Sequence, residues 1–174
     1  SRLIAWMLGA YVGGVGELTT VNARAGGTEL SRQDRLTTPE APVIAQLLQS
    51  MVEAGDEWVV LEVASHALEL ARVDGFAFNR AVMTNVTHDH LDLHGSLEGY
   101  RDAKRQLLQL LDAAPVDRHG KAAVLNADDP VVMGFADGLT SDVLTFGQFS
   151  QADVQVHMVN TTETGMLLAG SSPW

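Results

Sequence analysis

No cysteine occurs among the 174 residues, so disulfides and thiolate-held metals are both excluded, as is usual for a cytoplasmic protein. No apolar run reaches the length of a membrane span, and the opening SRLIAWMLGAYVGG lacks the basic flank of a signal peptide, so no membrane insertion is expected. Cations are scarce: 11 Lys and Arg stand against 22 Asp and Glu, a formal net charge of −11. Without a basic stripe to neutralise a phosphate backbone, general nucleic-acid binding is excluded. A nucleotide is not, because a phosphate site needs only local backbone amides, a few cations and often Mg²⁺. The sequence Gly-x-x-x-x-Gly-Lys-Ser/Thr is also missing, and GGVGELTT lacks both the lysine and the spacing of a phosphate-binding loop.

What is present is a chain 46% hydrophobic, enough for a substantial core, in which helical and strand patterns alternate. Residues 1–12 read as a helix ended by Gly13 and Gly14, followed by a strand-like run at 15–21 and a hairpin through Ala25, Gly26 and Gly27. Pro39 stands where a first helical turn is expected, with Thr38 as its N-cap, and residues 41–53 carry apolar side chains at helical spacing. WVVLEVA (58–64), RAVMTNV (80–86), KAAVLNA and SDVLTFG are short apolar runs of the kind buried on both faces of a parallel sheet. Helices through HALELAR, 96–111 and the residues after Asp128-Asp129-Pro130 separate them, and DVQVHMV and TGMLLAG alternate as an antiparallel hairpin. The order predicts an α/β fold, a doubly wound and mainly parallel sheet flanked by helices, with a C-terminal antiparallel hairpin.

In such sheets ligands gather at the carboxyl ends of the strands, and the chemically capable residues of this chain lie there. Glu62 sits inside an apolar strand, where a carboxylate either faces solvent at the strand end or needs a partner or a cation. THDHLDLHG places His88, His90 and His94 with Asp89 and Asp92 after another strand, a set suited to Mg²⁺, Mn²⁺ or Zn²⁺. Lys104 follows on a helix. Most helix lysines are solvated, but one held near cations and away from water has a lowered pKa, and its neutral amine can add CO₂ to give an anionic carbamate ligand. Thr37-Thr38-Pro39-Glu40 offers backbone amides to an anion, Arg72 offers a guanidinium to a carboxylate or phosphate, and Asn126 to Pro130 reads as a capped helix start.

Taken in order, TTPE (37–40), EVASHALELARV (62–73), TNVTHDHLDLHGSLEGYRDAK (84–104) and LNADDP (125–130) resemble the central domain of the Mur ligases, and among them the tripeptide synthetases. The resemblance implies a P-loop-NTPase-like fold and an ATP-dependent amide ligation in peptidoglycan synthesis. A carboxylate of UDP-N-acetylmuramoyl-dipeptide is phosphorylated to an acyl phosphate, and the amine of a diamino acid then displaces phosphate. It implies that Glu62 holds one Mg²⁺, that His90 and a carbamylated Lys104 hold or position a second, and that Thr37, Thr38 and Arg72 contact the muramoyl-dipeptide. The family usually has Asn at the position of Leu36, commonly Ser at that of Ala64 and often Gln at that of Leu70. It further implies a phosphate-binding loop directly before Ser1 and further domains on either side, so that these 174 residues alone are expected to be catalytically silent. Three other readings remain: a cyanophycin-synthetase-like or folylpolyglutamate-synthase-like ligase, against which TTPE argues; a non-catalytic module that has lost its phosphate loop; and a metal-dependent hydrolase built on the histidine cluster.

Overall fold

The computed structural model describes residues 1–32, 36–87, 94–162 and 165–172. The chain forms two compact units, Ser1–Asp74 and Gly75–Trp174, each built on its own hydrogen-bonded sheet. No helix among the described residues is long and apolar enough to cross a membrane.

The first unit begins with α1 (Arg2–Val12), which Gly13 ends with a φ of 94°. Its sheet has the order β3-β2-β1-β4, with β1 (Val15–Leu18), β2 (Ala23–Ala25), β3 (Thr28–Leu30) and β4 (Trp58–Leu61). β1 and β4 run parallel, and β2 and β3 form the expected hairpin. Gly26 and Gly27 both take positive φ, which a two-residue hairpin turn of this hand requires. α2 (Ala41–Glu53) has the predicted bounds and buries Ile44, Leu47 and Met51. It crosses the sheet closely at Gly16, where a β-carbon would lie 2.5 Å from the Met51 sulfur.

Three local expectations are corrected. The run at 15–21 stops pairing after Leu18, because the Thr19 amide donates to the Asn22 carbonyl at 2.9 Å and closes a turn. Pro39 precedes α2 rather than opening it: Glu40 is the N-cap residue and Pro42 occupies the first turn. Thr38 caps nothing, since its hydroxyl is engaged elsewhere, as described below. Finally, β4 is the edge of its sheet, and Val59 stays 37% exposed instead of being covered on both faces.

The second unit carries the order β5-β6-β7-β8-β9. β5 (Arg80–Met83), β6 (Ala122–Asn126), β7 (Asp142–Gly147) and the start of β8 (Val154–Thr162) run parallel, and β9 (Gly165–Ser171) closes the antiparallel hairpin. β6 is the buried central strand that the sequence implied, with Ala123 and Leu125 fully covered, whereas β5 is an edge and leaves Val82 38% exposed. α4 (Leu97–Ala113) packs Tyr100, Ala103, Leu107, Leu108 and Leu111 inward. The Ser96 side chain caps it by accepting from the Gly99 amide at 3.0 Å, which is worth about 1 kcal/mol. The short α5 (Pro130–Gly134) is capped by Asp129, as the sequence suggested.

Asp128 has a separate task. Its carboxylate accepts from the amides of Gln148, Phe149 and Ser150 at 2.7, 3.0 and 2.7 Å, tying the end of β6 to the loop after β7. The N–H groups of Gln148 and Ser150, helped by that of Phe149, outweigh the upward push of burial and hold this carboxyl below its ordinary range. A folded-state pKa below the unfolded one means that the ionised group stabilises the fold above the ordinary carboxylate value, and that this contribution is lost as the pH falls from there through the lowered folded-state value. Thermal melts of the wild type and Asp128→Asn are therefore expected to differ at neutral pH and to converge below about pH 4. A gap that stays constant on acidification would contradict this.

Candidate functional site

In the first unit the sequence-predicted residues assemble at the carboxyl end of β4. The Glu62 amide donates to the Leu18 carbonyl at 2.8 Å, continuing the β1–β4 pairing by one residue. The Thr38 hydroxyl donates to the Glu62 carbonyl at 2.9 Å and accepts from the Ala64 amide at 2.9 Å, and Thr38 is 1% exposed. Thr38 is therefore consumed in fixing the backbone on both sides of Val63. Thr37, half-buried, points its hydroxyl at that of Thr20, 3.1 Å away. The Thr20 hydroxyl in turn lies 3.0 Å from Glu62 Oε1, and its amide lies 3.5 Å from Oε2. Thr20, Thr37, Thr38 and Glu62 thus form one connected network.

Arg72 joins it from the far side. Its guanidinium donates to the Thr38 carbonyl at 3.2 Å and pairs with Glu40 at 2.8 Å. The arginine side chain is 11% exposed and that of Glu40 62%, so the pair is half in solvent and contributes at most about 1 kcal/mol. Arg72 is aimed by the end of α3 (Ser65–Glu69): its amide donates to the Ala67 carbonyl and that of Ala71 to the Leu68 carbonyl, the two bonds of a Schellman motif. The residue between them, Ala71, takes a φ of 55°, a left-handed conformation normally left to glycine. Ala71→Gly is expected to raise the stability of this unit by about 1 kcal/mol in urea denaturation, without moving Arg72. A destabilised variant would show that the left-handed turn carries no strain.

Of the second unit's candidates, Lys104 lies on α4 one turn beyond Tyr100, its Nζ 5.5 Å from the centre of the phenol ring. The His94 ring packs on the same Tyr100 ring, with 5.3 Å between centroids and an interplanar angle of 56°. Gly99 makes this approach possible, since a β-carbon there would sit 2.7 Å from the His94 carbonyl oxygen. His90, with His88, Asp89 and Asp92, lies outside the described residues. Asn126, at the end of β6, donates to the Thr84 carbonyl at 2.8 Å and accepts from the Asp128 amide at 3.0 Å.

A single cation suits the Glu62 end of the first unit. Glu62 supplies a hard carboxylate oxygen there, and the two hydrogen bonds that the carboxylate receives leave lone pairs for a metal. Among the described residues no three His, Cys, Asp or Glu gather in one place.

Parallel strands followed by helices, with an oxygen-lined cluster where a strand ends, define an α/β domain whose chemically capable residues lie at a carboxyl strand end. The chain belongs to the Mur ligase family, whose middle-domain description matches residues 1–171. It is 40% identical over 167 residues to the UDP-N-acetylmuramyl-tripeptide synthetase of Roseiflexus sp. (strain RS-1), covering 91% of this chain and 33% of that protein. To the UDP-N-acetylmuramoyl-L-alanyl-D-glutamate–2,6-diaminopimelate ligase of Geobacillus thermodenitrificans it is 37% identical over 159 residues, covering 91% and 32%. A solved structure of a ligase with that same description matches with a TM-score of 0.78 at 26% identity, over 99% of this chain and 34% of that one. The chain therefore spans about a third of the length of the curated relatives it matches.

Proposed function

We propose that this chain is the central domain of an ATP-dependent ligase that adds the third amino acid to UDP-N-acetylmuramoyl-L-alanyl-D-glutamate, a cytoplasmic step of peptidoglycan synthesis. The observation that carries the reading is the Thr20–Thr37–Thr38–Glu62–Arg72 network at the end of β4, in a chain whose relatives bear that substrate in their names. Glu62 would hold one Mg²⁺, and His90 with a carbamylated Lys104 would hold or position a second; bound there, the ions would supply charge neutralisation for phosphate oxygens. Arg72 and Thr37 orient the muramoyl-dipeptide. Arg72 does so by exchanging the exposed Glu40 carboxylate for a carboxylate of the substrate, at little cost because the present pair is weak. Thr38 acts through the backbone it holds. A carboxylate oxygen of the substrate attacks the γ-phosphorus of ATP and ADP departs. The amine of the diamino acid then attacks the acyl carbon, and inorganic phosphate leaves with the bonding pair.

The test uses the full-length ligase that carries this chain, supplied with ATP, Mg²⁺, UDP-N-acetylmuramoyl-dipeptide and either diaminopimelate or lysine. ADP release that needs both co-substrates, with a tripeptide product by mass spectrometry, is the expected result, and the 174-residue chain alone is expected to release none. ADP release with a folate or a growing cyanophycin chain instead would move the assignment to a related ligase.

A further inference from the structure

Glu62 is anchored at both ends of its backbone, yet its side chain has three rotatable bonds and stands part-exposed at a strand terminus. Among the described residues, both hydrogen bonds received by its carboxylate come from Thr20. Thr20 can do this because the turn that carries it is braced before any ligand arrives. The Thr19 hydroxyl accepts from the amides of Val21 and Asn22 at 3.3 Å each, its oxygen lies 3.1 Å from the Asn22 side chain, and Arg32 donates to the Thr19 carbonyl at 2.8 Å. A hydroxyl has one proton, and Thr20 faces two oxygens. The charged carboxylate is the stronger acceptor, so Thr20 donates to Glu62 and accepts from Thr37. The chain of donation then runs from Thr37 through Thr20 to Glu62. It fixes the carboxylate's orientation and leaves the Thr37 oxygen facing outward as an acceptor.

We infer that Thr20 is a positioning residue for the cation site, holding the Glu62 carboxylate in one orientation and turning Thr37 into an acceptor for an N–H or O–H of the substrate. This rests on the reading of Glu62 as a cation ligand. Hydrogen-bonded supports of metal ligands typically change metal affinity by about 10–100-fold when removed. The test compares wild type, Thr20→Val, Thr20→Ser and Glu62→Gln in the full-length ligase with a non-hydrolysable ATP analogue bound. Mn²⁺ serves as the metal probe, its affinity is read by electron paramagnetic resonance, and melting temperatures are recorded alongside. Thr20→Val is expected to weaken Mn²⁺ binding about tenfold with an unchanged melting temperature, and Thr20→Ser, which keeps the hydroxyl, to restore it. If Glu62→Gln weakens Mn²⁺ binding but Thr20→Val does not, or if serine fails to rescue, the positioning role is overturned and the cation reading stands. If Glu62→Gln leaves Mn²⁺ binding unchanged, both fall together.

Discussion

Glu62→Gln in the full-length ligase is expected to lower kcat on the order of 10²–10³-fold, the scale of losing one preorganised electrostatic partner of a reacting phosphoryl group. Glutamine keeps the side-chain length and an oxygen for the Thr20 hydroxyl, so the substitution removes charge and little else. The fold is not expected to notice. What anchors residue 62 is its amide on the Leu18 carbonyl and its carbonyl under the Thr38 hydroxyl, both untouched. Steady-state ADP release beside circular-dichroism melts checks both halves of the statement. A variant of full activity would remove Glu62 from the mechanism, and one that is inactive because it is unfolded would contradict the backbone account.

The largest expected effect on stability belongs to Leu125→Ala. Leu125 is fully buried on β6, an interior strand of its sheet, with Met83 of β5 and Thr145 of β7 as its neighbours in register. Truncation removes the burial of a large side chain and leaves a cavity among packed neighbours, a loss of about 2–5 kcal/mol. Domains of this size have only about 5–15 kcal/mol in total, so the urea midpoint of the second unit should fall steeply. Val116→Ala, at a side chain 72% exposed, is the control expected to shift stability by less than about 0.5 kcal/mol. Equal shifts for the two variants would mean that β6 is not the core strand.

Much of the architecture was legible because apolar spacing reports burial directly. α2 carries apolar pairs on three consecutive turns and emerged with its predicted bounds, and each apolar run begins at or near its strand. Strand ends were less legible, because side chains take over the backbone groups there. Asn126 holds the Thr84 carbonyl and Asp129 the Val86 amide, so β5 ends at Met83 although the sequence pattern runs on to Val86. Periodicity carries no trace of such bonds across some 40 positions. Edge position was hidden for a similar reason, since the apolar run of β4 reads the same whether one side of it is paired or both are. In the site, Glu62 and Thr38 could be picked out by a carboxylate in an apolar strand and by the TTPE resemblance. Thr20 could not. It lies in a turn with no motif of its own and matters only because 42 positions later the chain returns to it. Asp128 was read as part of a helix start, a task that Asp129 performs alone.

Taken unit by unit and among the described residues, β4 ends the first sheet and β5 the second, and their valines, Val59 and Val82, show more than a third of their surface. Such margins template further strands unless something guards them, and the guards here are modest: Glu57 just ahead of β4, and Arg80 opening β5. Within each unit this selvedge is where a further strand could pair, and gatekeeper substitutions such as Val59→Lys or Val82→Lys would blunt it.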